Sequence, residues 1–396
     1  TGSAQPYAAQ WSFSMQRSFS ANTIVEATYA GNKGNHLFSP SLDQNIPSYD
    51  AMRQAIRGQV NLGQTLANPY GIRDTAGRPL NMTVYDQLRP YPHLWSQQIS
   101  SIFDRRGSSI YHALYVTYKQ RYGKGLTTIA SYTWQKSIDN ASSGFGGLVG
   151  QETDIFGLAK PQNPNNLQPE RSESTYNIPH KLIVGYNYEV PVGKGLAVPL
   201  RNPVLNAVAG GWNLAGMFSV QQGYPIWLRL GSGGYWFSQG GGLGNIASGS
   251  TIRPNLVPGV QVVNDNWRAN PYVAGSYLNS AAFAIPGTLG NPEFGNLPRT
   301  MSFARSPVTR NFDVNLSKRI RVNERVTVTL RTDALNVLNH PNFFFNPNNG
   351  HDLLGGDFNR QSLTNPATAA FNLNANFGRL DPNNTNNGRT FRLAVR

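Results

Sequence analysis

The chain contains no cysteine, which excludes a disulfide framework, a thiol nucleophile and thiolate-held metal. It has no apolar run near the roughly 18 residues that a helix needs to cross hydrocarbon, so no transmembrane helix is expected. Charged residues make up only 14% of 396 positions, and acids are the scarcer, with 20 Asp and Glu against 34 Lys and Arg. Histidine is sparse. His36, His93, His112, His180, His340 and His351 are scattered, and none sits four residues from another ligand in the zinc-helix pattern. "HDLLGGDFN" (351–359) lacks the spacing of a calcium loop. "SGFGGLVG" (143–150) lacks the Lys-Ser/Thr of a phosphate loop, and no G-x-S-x-G elbow occurs. These absences leave no catalytic constellation, so neither an enzyme nor a cofactor or metal site is expected. The first residues, "TGSAQPYAAQ", also lack the basic and apolar segments of a signal peptide, so either processing removed one or an earlier stretch is missing.

The net charge of +14 raises nucleic acid as a partner, but the basic residues are dispersed around turns and strand ends. No helix carries a basic stripe and no RNA-binding signature appears. Nucleic acid is therefore the weaker expectation, and anionic lipid headgroups, lipopolysaccharide included, the stronger.

What is present is strand and turn chemistry: 40 Gly, 26 Pro, 18 Tyr and 19 Phe. Nine segments alternate apolar and polar side chains with period two, which places one apolar face on each. They are "WSFSMQRSF" (11–19), "TIVEATYAG" (23–31), "YHALYVTYKQ" (111–120), "LTTIASYTWQ" (126–135), "HKLIVGYNYEV" (180–190), "GWNLAGMFSVQQ" (211–222), "NFDVNLSKRI" (311–320), "RVTVTLRTDA" (325–334) and "GRTFRLAVR" (388–396). One short helix is expected at "DAMRQAIRGQV" (50–60), with Asp50 as its N-cap.

The connections alternate between short and long. Short turns fall near 20–22, 121–125 and 321–324, with a slightly longer link near 191–210; long loops cover about 32–108, 136–179, 223–309 and 335–387. In an up-and-down sheet this puts the short turns at one end and the long loops at the other, as in an outer-membrane barrel. Segment length agrees, since a membrane strand needs about 9–11 residues and a soluble one about 5–6. Glu26, Asp313, Arg331, Asp333 and Arg392 share the parity opposite most large apolar residues, while Tyr29, Tyr132, Trp134 and Tyr188 fall near strand ends as interfacial girdles do. The expected fold is all-β: part of an antiparallel, up-and-down transmembrane β-barrel with short periplasmic turns and long extracellular loops. In the loops, Tyr235, Trp236 and Trp267 are candidate ligand contacts; the alternative is that they pack the loops against one another.

Several stretches resemble the barrel of Oar-like TonB-dependent receptors. They are "IYHALYVTYKQRYGKGLTTIASYTWQKSIDN" (110–140), "QNPNNLQPERSESTYNIPHKLIVGYNYEVPVGKG" (162–195), "GGWNLAGMFSVQQGYPI" (210–226), "NFDVNLSKRIRVNERVTVTLRTDALNVLNHPNF" (311–343) and "FGRL" (377–380). The resemblance implies an outer-membrane location in a diderm bacterium, a barrel of roughly 22 strands around a plug, and import of a bulky nutrient ligand powered by the TonB complex. Against that pattern, residues 1–396 read as the C-terminal barrel part of about nine strands, with plug, TonB box and leading domain absent from this chain. "STYNIPH" has Thr175 and Tyr176 where the family often has Ser-Asp-Phe, and the last strand ends at Arg396 instead of an aromatic. Nine strands would leave two open edges able to pair with more strands. The alternative function is therefore an extracellular β-rich fibre or tube, self-assembled through those edges.

Overall fold

The computed structural model describes residues 5–37, 42–43, 45–58, 60, 62–95, 99–101, 105–123, 125–140, 161–163, 166–193, 197–230, 253–284, 286–288, 291–323, 325–345, 375–382 and 388–396. All nine alternating segments are strands: β1 (Tyr7–Ser20), β2 (Thr23–Leu37), β3 (Gly107–Tyr122), β4 (Leu126–Asp139), β5 (His180–Glu189), β6 (Trp212–Gln221), β7 (Thr309–Arg321), β8 (Thr327–Leu335) and β9 (Thr390–Val395). Each pairs antiparallel with the next, in the order of the chain, and Ser172–Glu173 adds a short strand beside β4. β1 and β9 are the two edges. Several strands run past the expected boundaries on the loop side; β2, for example, continues to Leu37. In β2 the extra residues are polar or glycine up to the terminal Leu37, so apolar alternation had stopped marking them.

The register gives each face a single character. Directly opposed residues share a face, so Arg17, Val25, Tyr118, Ala130, Val184, Phe218 and Phe312 form one continuous row across seven strands. The next row is Met15, Ala27, Val116, Tyr132, Leu182 and Val220. Every Asp and Glu of the nine strands, namely Glu26, Asp139, Glu189, Asp313 and Asp333, lies on the opposite face, among Ser, Thr, Asn and Gln. Charges on the apolar face occur only toward strand ends, and all are basic: Lys33, Lys136 and Arg310 on the loop side, Arg17 and Lys318 on the turn side. A lipid-facing band flanked by cations meets headgroup phosphates at both rims, whereas an acid there would be repelled. The sheet is a transmembrane barrel wall, apolar side to lipid, short turns to the periplasm and long loops outside.

The hydrophobic core lies in the loops, away from the wall. Met52, Leu62 and Tyr85 from the loop 38–106 pack with Ile226, Leu228, Leu278, Phe283, Leu297 and Met301 from 222–308, and with Phe345, Phe377 and Leu380 from 336–389. The expected helix is present as α1 (Tyr49–Arg57), but its cap differs. Ser48 Oγ accepts from Ala51 N at 3.2 Å, and Asp50 lies inside the first turn. The hydroxyl one residue outside the helix reaches the third amide, and Asp50 instead meets the positive end of the helix dipole. α2 (Val84–Gln87) closes with a reciprocal Thr83–Asp86 capping box, and α3 (Pro203–Ala209) lies in the turn-side link between β5 and β6.

Candidate functional site

The loops are held over the outer end of the wall by buried ion pairs. β4 leaves the sheet at Asp139, on the polar face, and there it meets the guanidinium of Arg299, which also donates to the Asp139 carbonyl at 3.1 Å and, through Nε, to the Glu170 carbonyl at 3.0 Å. Glu170 Oε2 accepts from Arg253 at 2.7 Å, with the two side chains 2% and 3% exposed. Gln162 completes this group: its Oε1 accepts from Arg253 N at 2.8 Å and Gly295 N at 3.2 Å, while its Nε2 donates to Gly295 O at 3.1 Å. A second pair joins Glu173 to Arg305, whose guanidinium also reaches the carbonyls of Asn177 and Gly223 at 3.3 Å. Ser137 fixes the segment below, through Ser174 Oγ at 2.7 Å and Asn177 Oδ1 at 3.0 Å.

Burial pushes the Arg299 guanidinium below its ordinary pKa, and the neighbouring Asp139 and Glu170 pull it back up. Charges so deeply buried persist only when matched and hydrogen-bonded, and here each is. The arrangement ties residues 162–173 of the loop 140–179 and residues 253–305 of the loop 222–308 to one strand end, forming a cap over it.

On the loop 38–106, Asn45 is fully buried and holds the turn "RPYPHLW". Its Nδ2 donates to the carbonyls of Tyr91 at 3.1 Å and Leu94 at 3.2 Å, and its Oδ1 accepts from Tyr91 N at 2.9 Å. Arg89 adds bonds to the Asn45 carbonyl at 2.7 Å and to Asp86 at 3.0 Å. The turn so fixed presents Tyr91 and His93 beside Tyr70, whose ring centroid is 6.1 Å from His93; the Tyr91–His93 separation is 6.4 Å. Tyr70 and Tyr91 remain nearly half exposed. An anchored aromatic group with a wet edge suits stacking on a sugar or an aromatic ring.

Trp267 sits elsewhere. It is 8% exposed in the loop core, edge-on to Tyr277 at 5.2 Å and Phe343 at 5.3 Å, with Arg268 over its ring. Tyr235 and Trp236 lie outside the described residues. The ion-pair residues and the Asn45 turn were not singled out from sequence. Their signal was faint: each of Arg253, Arg299 and Arg305 stands alone among neutral residues. Among the described residues, no group of three or more His, Asp or Glu could hold a metal ion.

The family described as an outer membrane beta barrel domain matches residues 2–392. No curated protein matches the chain. Among solved structures, the outer membrane transporter YddB from Escherichia coli aligns with 99% of this chain and 32% of its own, at 10% identity and a TM-score of 0.38. The copper transporter OprC aligns with 100% of this chain and 31% of its own, at 10% identity and a TM-score of 0.36. The chain spans about a third of the length of these two structures.

Proposed function

Because the chain belongs to the family of outer membrane beta barrel domains and is a stretch of barrel wall in the outer membrane, we propose that it is the C-terminal barrel region of an Oar-like TonB-dependent receptor. The receptor takes up a bulky nutrient captured by its extracellular loops, with TonB supplying the energy and outer-membrane lipid surrounding the wall. The observation that supports this reading is the cap. Three long loops share one core, buried ion pairs tie one of them to the loop 140–179 and to the end of β4, and the loop 38–106 presents the aromatic group of Tyr70, Tyr91 and His93. A receptor that selects its ligand before import needs such a preshaped outer surface. The ordered Oar-like motifs support the same assignment. The family is one of membrane barrels and not of enzymes.

A second reading has one observation in its favour: among the described residues β1 pairs only with β2, and β9 only with β8, so both edges can accept another strand. In that case copies would join edge to edge into an extracellular fibre or tube. Fractionation of the producing cells with intact-mass measurement separates the two. A heat-modifiable outer-membrane species much larger than 43.5 kDa, containing this sequence, is expected. A species of 43.5 kDa recovered from filaments in the medium would overturn the receptor in favour of the fibre.

A further inference from the structure

The link between β5 and β6 is the longest of the turn-side connections, and it carries the helix α3. Asn202 caps it, accepting from Val204 N at 2.9 Å and Leu205 N at 3.2 Å. The helix, "PVLNAVA", contains no charged residue, and none of its residues is buried. Val204, Leu205 and Val208 share one face by helical spacing, and they are 70%, 56% and 65% exposed.

The C-terminal end of α3 is tied to the lipid side of the wall. Trp212 and Lys318 are direct partners across β6 and β7 on the apolar face. Trp212 Nε1 donates to the Val208 carbonyl at 2.9 Å, and Lys318 Nζ donates to the carbonyls of Val208 and Gly210, each at 2.8 Å. The ammonium lies 4.8 Å from the centre of the Trp212 ring, and Lys318 is only 7% exposed. A cation at the edge of a lipid band is costly unless its protons are taken up, and here the end carbonyls of the helix and an aromatic face take them up. Gly211 makes the turn from helix to strand at φ +75°, where a Cβ would meet the Arg319 carbonyl oxygen at 2.4 Å.

We propose that α3 is an interfacial foot of the wall, its Val204–Leu205–Val208 face lying among the acyl chains of the periplasmic leaflet and Lys318 holding it there. The occupant is lipid because the helix is fastened to Trp212 and Lys318 of the lipid-facing band at the periplasmic rim, and the side chains it leaves exposed are apolar and uncharged. The inference rests on that wall facing lipid.

Residues 1–396 contain no cysteine, so Leu205→Cys introduces the one thiol of this stretch, and any cysteine elsewhere in the intact protein is first replaced by serine. The protein carrying Leu205→Cys, purified intact from its outer membrane, is labelled with bimane and placed in phosphatidylcholine vesicles with or without brominated acyl chains. Loss of emission in the brominated vesicles, with none on adding aqueous iodide, is expected. Quenching by iodide alone would place the helix in water and overturn the inference. Protection from both would mean that protein covers it, which overturns it equally. Val184→Cys, on the apolar face well inside the wall, separates the two levels: bromolipid quenching there without quenching at Leu205 removes only the foot, and no quenching at either removes the lipid-facing wall. Adding Lys318→Gln to Leu205→Cys is expected to give iodide access while quenching at Val184 persists. An unchanged Leu205 signal would overturn the role of Lys318; should that variant not fold, Leu205→Cys alone decides the foot.

Discussion

The side chain of Tyr186 lies across Gly216, its directly opposed partner on the neighbouring strand, so closely that a Cβ on Gly216 would meet the hydroxyl at 2.6 Å and the ring at 2.7 Å. Trp11 covers Gly31 in the same way on the lipid side of β1 and β2. In both places an aromatic shields backbone that glycine would otherwise leave bare toward lipid. The two residues of each pair are therefore energetically linked, and the first prediction concerns that link. Gly216→Val should destabilise the wall by about 1–3 kcal/mol because the ring has to leave. In a Tyr186→Ala background the same substitution should cost much less. A double-mutant cycle on reversible unfolding in lipid reads the coupling, and additive costs would show that the ring and the glycine act independently.

Face assignment is tested by two neighbours. Ala130 lies on the apolar face and Ser131 on the polar one. Ala130→Arg should cost about 2–4 kcal/mol in a bilayer, whereas Ser131→Arg should cost little. Equal costs in unfolding titrations would contradict the assigned sides.

The ion pairs under the cap predict a local effect. Arg299→Met leaves the Asp139 carboxylate and the Glu170 carbonyl without their shared partner, a loss of about 3–5 kcal/mol for a broken buried pair. Limited proteolysis should then cut within the loops while β1–β9 stay protected. Unchanged cleavage rates would mean that the cap is held by its apolar core alone.

Trp267→Ala removes a ring from the centre of that core and should cost about 3–5 kcal/mol of cap stability. Hydrogen exchange in the loops 222–308 and 336–389 is the measurement, with faster exchange expected around Tyr277 in the first and Phe343 in the second. If exchange is unaltered and only ligand capture falls, Trp267 belongs to the binding surface instead.

Alkali should loosen the same region. Burial pushes the Tyr277 phenol above its ordinary pKa, and its hydroxyl donates to the Arg305 carbonyl. A group with a raised folded pKa contributes stability that is present below its unfolded pKa, about 10, and is lost as pH rises beyond it. Cap stability should fall above about pH 10, and Tyr277→Phe should flatten that fall while lowering stability at neutral pH. A pH profile that Tyr277→Phe leaves unaltered would assign the alkaline loss to other groups.

The helix at residues 49–57 shows where sequence reading stopped short. Its existence was legible from spacing, but its cap was not: Asp50 and Ser48 are both good capping residues, and the choice depends on the direction in which the preceding loop enters. Trp267 is a similar case. An indole in a polar loop suits a ligand or a core equally well, and the arrival of Tyr277 and Phe343 put it in the core. Asn45 and Tyr91, or Arg299 and Asp139, are distant along the chain, and no local pattern links them.

The sequence by itself determined the wall: nine strands in order, their facing, and the end at which the loops lie. Alternation is a local property, and a barrel strand repeats it at every second residue because one side meets lipid and the other water. Only the tertiary structure decided the cap, its core and its ion pairs, and the placing of α3 against Trp212 and Lys318. Those contacts join segments brought together by the return of the chain across the sheet, so they depend on strand pairing as a whole and on no neighbourhood of residues.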